Sequence, residues 1–381
     1  MCKRTIRRFA LLLSFSFFTV AFLQAQSIKP KFNNSSIYTG IEVGSKGVKM
    51  SVIEVGRNGL ANGSYNILKD TSVNTDFISF TPVTFSATLD GLYGLYMMAT
   101  QEYKIPGKRV FTVISSGVKM QAEKDEKSAN VKQLIDSFRL RIKENDRQVE
   151  VVDVMKESML SHLGIVPDSR RYTTFLFDIG SGNTKGGFFP DGTLNNFKMF
   201  QINWGTKSTF NATDKRLEDD KSLANYNKQL ARVLSGAENS DIIYAVNSSG
   251  AYPLSDNIAV SGGIAWALAT MMHPELGDNP VVAVSYKELE AFNEKILKSY
   301  SALSPKFLTQ NIKDAEEKEL VTKEIQRAQQ VFDQKSMLAG TGLLLRIMRQ
   351  FESVFDSKQF FLVKNGQVGW VSAYVNMSVG K

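Results

Sequence analysis

One short pattern occurs twice in this chain and constrains its fold more than any other feature. The first copy is Gly40-Ile41-Glu42-Val43-Gly44-Ser45-Lys46-Gly47-Val48-Lys49, and the second is Leu176-Phe177-Asp178-Ile179-Gly180-Ser181-Gly182-Asn183-Thr184-Lys185. Each copy is an apolar strand, an acidic residue near its end, a turn of small residues and a second strand. The turn residues Gly44, Ser45, Gly47, Gly180, Ser181 and Gly182 allow close backbone approach and present several N–H groups. A concave run of N–H groups is a way to hold phosphate. Glu42 and Asp178 stand where a carboxylate can hold hydrated Mg²⁺. Two such hairpins facing each other would form a phosphate clamp.

The spacing of the copies implies a duplicated pair of domains. With 381 residues, the chain is long enough for two proper cores. Strands alternate with helical segments throughout, which is the pattern of α/β layers. In the first half, the pattern predicts a hairpin over 37–55 and a helix over 92–103. A strand over 109–115 and a helix with Val131, Leu134, Ile135, Phe138 and Ile142 on one face follow. A strand is predicted over 149–154 and a helix start over 157–163. Pro167-Asp168-Ser169 marks a boundary. In the second half, strands are predicted over 173–179, 184–189, 242–246, 258–260, 360–363 and 368–374, the last two joined by a Lys364-Asn365-Gly366 turn. Helices are predicted over 215–234, 264–272, 288–298, 313–332 and 343–355. The implied division is 1–25 signal segment, 26–36 linker, 37–170 first domain and 171–381 second domain.

The N-terminus carries a secretion pattern. Lys3, Arg4, Arg7 and Arg8 precede the apolar run Phe9 to Leu23, and Leu23-Gln24-Ala25 offers a cleavage site. The run is shorter than the roughly 20 residues of a spanning helix, so contact with a membrane is expected only through this segment if it stays uncleaved. The single cysteine, Cys2, lies within it, which leaves the remainder without a disulfide or a thiol nucleophile. The chain has 46 basic and 38 acidic residues; without residues 1–25 the balance is 42 to 38, a net +4. That mild charge suits an anionic ligand and gives no nucleic-acid footprint. The two histidines, His162 and His273, are too few and too separate for a zinc site.

Together these segments resemble the exopolyphosphatase/guanosine-pentaphosphatase (Ppx/GppA) family of the actin-like ATPase superfold, from about Ile37 to Tyr374. Glu42-Val43-Gly44-Ser45-Lys46-Gly47 is similar to the family's first phosphate motif, which opens with Asp. The run from Asp178 to Lys185 is similar to its second, which ends in Ser-Thr-Glu. Glu150 to Gly164 is similar to the segment bearing the family's catalytic glutamate, and the register places that residue at Glu157; the family's following arginine is Met159 here. Val110 to Lys119, read as a strand, resembles the segment ending in a phosphate-binding arginine, replaced by Lys119. Ser261-Gly262-Gly263 and Gly366-Gln367-Val368-Gly369-Trp370 are further landmarks.

The resemblance implies two ribonuclease-H-like α/β domains flanking a cleft. It also implies hydrolysis of a phosphoanhydride in the bacterial envelope, such as a terminal phosphate of polyphosphate or another phosphorylated small molecule. Glu157 would orient or deprotonate the water. Gly44, Ser45, Lys46, Gly47, Lys119, Gly180, Ser181, Gly182, Asn183, Thr184 and Lys185 would contact phosphate. Asp178 and Glu42 would hold Mg²⁺, weakened by Lys185, which stands where the family has a metal-binding carboxylate. Two other functions stay open: a polyanion-binding pseudoenzyme without turnover, and a nucleotide-dependent kinase of the same superfold. A homodimer is also left open.

Overall fold

The first repeat folds as expected because its apolar residues alternate over two strands long enough to pair. β1 (Ser35–Val43) and β2 (Gly47–Gly56) form an antiparallel hairpin, with Glu42 directly opposite Lys49. In the second repeat, β6 (Thr174–Ile179) and β7 (Thr184–Phe188) pair in the same way, with Asp178 opposite Lys185. The structure is a computed structural model that describes residues 28–30, 33–56, 65–352, 357–364 and 366–379. The expected signal segment 1–25, residues 353–355 of the helix expected over 343–355 and Asn365 of the expected turn lie outside the described residues, as do 26–27 and 31–32 of the expected linker.

Each hairpin nucleates one sheet. The first runs β3-β2-β1-β4-β5, where β3 is Tyr65–Asn74, β4 Val110–Ile114 and β5 Val149–Val151. The second runs β10-β11-β9-β6-β7-β8, where β8 is Lys198–Ile202, β9 Asn257–Ser261, β10 Val281–Val284 and β11 Gln359–Val363. Read from β8, the second sheet repeats the order of the first and adds β10 as an antiparallel edge. In both sheets the hairpin strand bearing the acid pairs in parallel with the next strand along, β1 with β4 and β6 with β9. Two ribonuclease-H-like domains of the expected type result.

Apolar side chains on each sheet build separate cores. In the second, Phe175, Phe177, Phe188 and Phe200 are fully buried, with Phe175 and Phe200 edge to face at 5.3 Å. Each such burial contributes about 2–3 kcal/mol.

Two helices join the domains. The helix Val154–Ile165 follows β5 but packs on β7. The helix Gly366–Val379 ends the described chain yet returns to pack on β1, β2 and Val154–Ile165. Trp370, Val371 and Ala373 are buried there with Val113, Val152 and Leu160. Gly40 makes that approach possible, because a Cβ on it would lie 2.8 Å from Val371 Cγ2 and 2.9 Å from Val375 Cγ2. By packing, this last helix serves the first sheet. Among the described residues, no helix is long and apolar enough to cross a membrane.

Four local expectations need correction. The segment 368–374 is helical. Being covered from more than one side, it lacks the polar face that reveals a helix in sequence. Residues 242–246 lie in a π turn, Glu238–Ile242, and the helix Ile243–Ser249, which bury Ile242 and Val246 four positions apart. A short apolar run cannot by itself separate helix from strand. Of the helix expected over 215–234 only the part from Leu223 forms, as Leu223–Ala237, because Ser222 caps it by accepting from the Asn225 amide; the preceding helix, Thr206–Asp214, ends before residue 215. Lys119 does not end a strand: β4 stops at Ile114, and Lys119 lies in the helix Ser116–Lys124. Strands β3, β8 and β10 escaped the sequence reading, being short or half polar.

Candidate functional site

Every candidate acid stands at or just beyond the carboxyl end of a parallel strand. Glu42 is next to last in β1 and Asp178 next to last in β6, and Glu157 lies in the first turn of the helix that leaves β5. Ser116 opens the helix after β4, and Ser261 ends β9. Crevices at the carboxyl ends of strands are where open α/β sheets bind ligands.

The domains meet at these ends. Lys185 Nζ, on β7, reaches into the first domain and donates to Glu157 Oε1 at 2.5 Å and to Ser116 Oγ at 3.2 Å. The Ser116 amide, one of the free donors of a helix N-terminus, donates to Glu157 Oε2 at 2.7 Å. Glu157 is therefore bonded through both oxygens, while only 4% exposed. On the other side of Lys185, Asp178 Oδ2 accepts from Ser261 Oγ at 2.9 Å. Glu42 is buried, and its Oε2 has no hydrogen-bond partner among the described residues.

Burial and charge set the protonation of this cluster in opposite directions. For Glu157, burial favours the neutral acid, but the Lys185 ammonium and the Ser116 donors outweigh it and hold the carboxyl below its usual range. Burial also works against the charge on Lys185, yet Glu157, Asp178 and Glu42 together keep its pKa above that of ordinary lysine. Burial dominates for Glu42 and pushes its pKa up; Lys49 opposes the rise, and Glu157 and Asp178 add to it. Asp178 is raised by burial too, against Lys185 and the Ser261 hydrogen bond. Both hairpins border the start of one helix: Lys185 of the second contacts Ser116, and Ser45 of the first lies 3.1 Å from where a Cβ on Gly117 would be.

The turns are closed alike. Gly44 N–H donates to Gly47 O at 2.9 Å, and Gly180 N–H to Asn183 O at 3.0 Å. These two amides are thus used within the turns. In the second turn, Gly180 O accepts from the Thr206 amide at 3.0 Å, and Ser181 O from those of Lys207 and Ser208 at 2.8 and 3.0 Å. Because a trans peptide points its C=O and N–H opposite ways, the Ser181 and Gly182 amides point away from the helix Thr206–Asp214. Gly205 permits this contact: a Cβ there would lie 2.6 Å from Gly180 O. The Thr184 hydroxyl is buried and donates to Trp204 O at 2.7 Å. Lys119, one turn beyond Ser116, forms no ion pair with a described residue. In the first turn, Ser45 lies against the same helix, since a Cβ on Gly117 would be 3.1 Å from its Oγ.

A residue absent from the sequence reading joins the turns. Lys207, exposed on the helix Thr206–Asp214, faces Lys46, which depresses its pKa below that of ordinary lysine. Lys46 is paired with Asp76, and Asp76 also influences Lys207. Two ammonium groups, one per domain, thus flank the mouth between the turns. Only a polar helix start marks Lys207 in the sequence, and nothing there ties it to Lys46. His162 is a core residue: fully buried, its Nε2 lies 2.9 Å from Thr174 O, and burial lowers its pKa to about 4.

The acids do not assemble a metal centre. Among the described residues, no group of three or more His, Cys, Asp or Glu side chains is placed to hold an ion. The Lys185 ammonium stands among the three carboxylates. At about 4 Å and an effective dielectric of about 20, it would cancel the attraction of one carboxylate for a divalent ion, roughly 8 kcal/mol, and it already occupies Glu157 Oε1. The unpartnered Glu42 Oε2 does not reverse this, because one oxygen of one carboxylate is not a coordination set. As placed, these side chains do not fit Mg²⁺.

No protein-family model and no curated protein matches the sequence. Solved structures do match. A Ppx/GppA family member from Aquifex aeolicus aligns with a TM-score of 0.62 at 16% identity, covering 91% of this chain and 98% of that one. An exopolyphosphatase from Cytophaga hutchinsonii aligns with a TM-score of 0.58 at 14% identity, covering 91% and 99%. Likeness at such identity is likeness of fold. The chain has the actin-like fold of the Ppx/GppA structures, two ribonuclease-H-like domains joined around a buried cluster of Glu42, Glu157, Asp178 and Lys185.

Proposed function

We propose that this chain is an exported, exopolyphosphatase-like hydrolase that releases terminal phosphate from polyphosphate or a related polyphosphorylated molecule in the bacterial envelope. The observation that carries this reading is Glu157: a carboxylate buried at the strand ends and bonded to Lys185 of the second hairpin and to the Ser116 amide, which hold it below its usual range. Hydrolysis needs the phosphate charge countered, a water in line and a group to take the water's proton. Lys46 and Lys207 would attract the polyanion to the mouth. The Ser181 and Gly182 amides, with Lys185, would hold the terminal phosphoryl group. As Lys185 turns from Glu157 Oε1 to a phosphate oxygen, that carboxylate oxygen becomes free to accept a proton from water. The water oxygen bonds to phosphorus, the bridging P–O bond breaks, and the shortened chain leaves.

One observation favours a second reading, a polyanion-binding protein without turnover. Both Glu157 oxygens are bonded in the structure, so a base that stays so engaged would not act. Phosphate release from long-chain polyphosphate by the mature chain separates the two. Measurable release supports the hydrolase. Tight binding without release, with and without Mg²⁺, leaves the binding protein. Neither binding nor release rejects both.

A further inference from the structure

We infer that the Lys185 ammonium is the built-in cation of this site, doing the work of a divalent metal, so that phosphate binding needs no divalent ion. The inference rests on the phosphate-site reading above and deepens it.

Position argues for it first. Lys185 lies on β7 directly opposite Asp178, and its Nζ crosses into the other domain to reach Glu157 and Ser116. It therefore touches or faces acids from both domains, as a bridging ion would. Burial argues for it next. Lys185 is only 9% exposed, and moving its charge out to water would leave Glu157 buried and unpaired. Donor count gives a third argument. An ammonium has three N–H donors. Glu157 Oε1 and Ser116 Oγ take two, and no described residue takes the third. That donor can meet a phosphate oxygen while both contacts persist, so binding needs no break; the turn away from Glu157 Oε1 belongs to the later chemical step. The first hairpin carries the same pairing, Glu42 opposite Lys49, so both repeats place a lysine where it opposes an acid.

The test uses the mature chain, tripolyphosphate as the ligand and Mn²⁺ as the metal probe. Calorimetry should give a tripolyphosphate affinity in EDTA within about twofold of that in millimolar Mn²⁺, after correction for metal-bound ligand. Mn²⁺ alone should leave the wild-type melting temperature unchanged and show no bound fraction by electron paramagnetic resonance. Lys185→Glu should gain Mn²⁺ binding by at least about tenfold and melt higher in Mn²⁺. Lys185→Ala should lose at least about tenfold in tripolyphosphate affinity in EDTA. Stoichiometric Mn²⁺ binding by the wild type, or tripolyphosphate binding that vanishes in EDTA, overturns the inference while leaving the phosphate site standing. Absence of tripolyphosphate binding in both conditions overturns the phosphate reading and this inference with it. The wild-type measurements decide the matter even where a variant fails to fold.

Discussion

The Lys185 ammonium and the Glu157 carboxylate lie 2.5 Å apart, and they come from opposite domains. This one contact fixes the state of the candidate base and ties the two sheets together at their functional ends. Truncating either partner leaves a buried charge alone, so site chemistry and stability are coupled here.

Glu157→Gln tests that coupling. Glutamine keeps the shape and can accept one of the two hydrogen bonds, but it carries no charge to balance Lys185. We expect a stability loss of about 3 kcal/mol, the scale of breaking a buried pair. If the chain hydrolyses polyphosphate, release should fall by roughly 10²-fold or more, with binding retained. Chemical denaturation and a phosphate-release assay read the two effects separately. An equally fast, equally stable variant would remove Glu157 from both roles.

The cross-cleft lysines should act on affinity and not on the chemical step. Lys46→Ala and Lys207→Ala are each expected to weaken tripolyphosphate binding by roughly fivefold at low salt, about 1 kcal/mol for an exposed charge. The difference should shrink as salt rises, because exposed charges are screened. A salt-independent loss would mean that the substitutions disturb the fold instead.

Gly205→Ala should damage the second turn. Its new Cβ would meet Gly180 O at 2.6 Å, Asn183 N at 2.7 Å and Ser181 C at 2.8 Å, all backbone atoms that cannot rotate away. A cost of about 1–3 kcal/mol is expected, with phosphate affinity lowered as the Ser181 and Gly182 amides shift. Gly182→Ala, where a Cβ meets no protein atom within 4 Å, is the control for the stability cost of added bulk in the same turn.

His162 predicts acid sensitivity. Its folded pKa of about 4 lies below the unfolded value of about 6.5, so the unfolded chain takes up the proton first. The contribution is complete above about pH 6.5 and is lost as pH falls toward 4, to about 3 kcal/mol in full. His162→Gln, which can still donate to Thr174 O, should flatten the dependence of the melting temperature between pH 6.5 and 4. An unchanged slope would assign the acid loss to other groups.

The sequence by itself determined the duplication, the two hairpins and the acid at the end of each first strand. Those features are local: alternating apolar residues fix a strand, and a turn needs its own small residues. Pairs of residues seven apart, Glu42 with Lys49 and Asp178 with Lys185, were already implied by a hairpin of this length. Only tertiary structure decided what faces what. That Lys185 pairs with Glu157 depends on β7 and the helix Val154–Ile165 packing across the domain boundary, which no local pattern encodes. The meeting of Lys46 with Lys207 has the same origin. The last helix hid its period because it is covered by both the first sheet and a neighbouring helix, and amphipathic patterning reports only elements with one face in water. Whether the site holds a metal or a lysine was decided by that same long-range packing, since it alone placed an ammonium among three carboxylates.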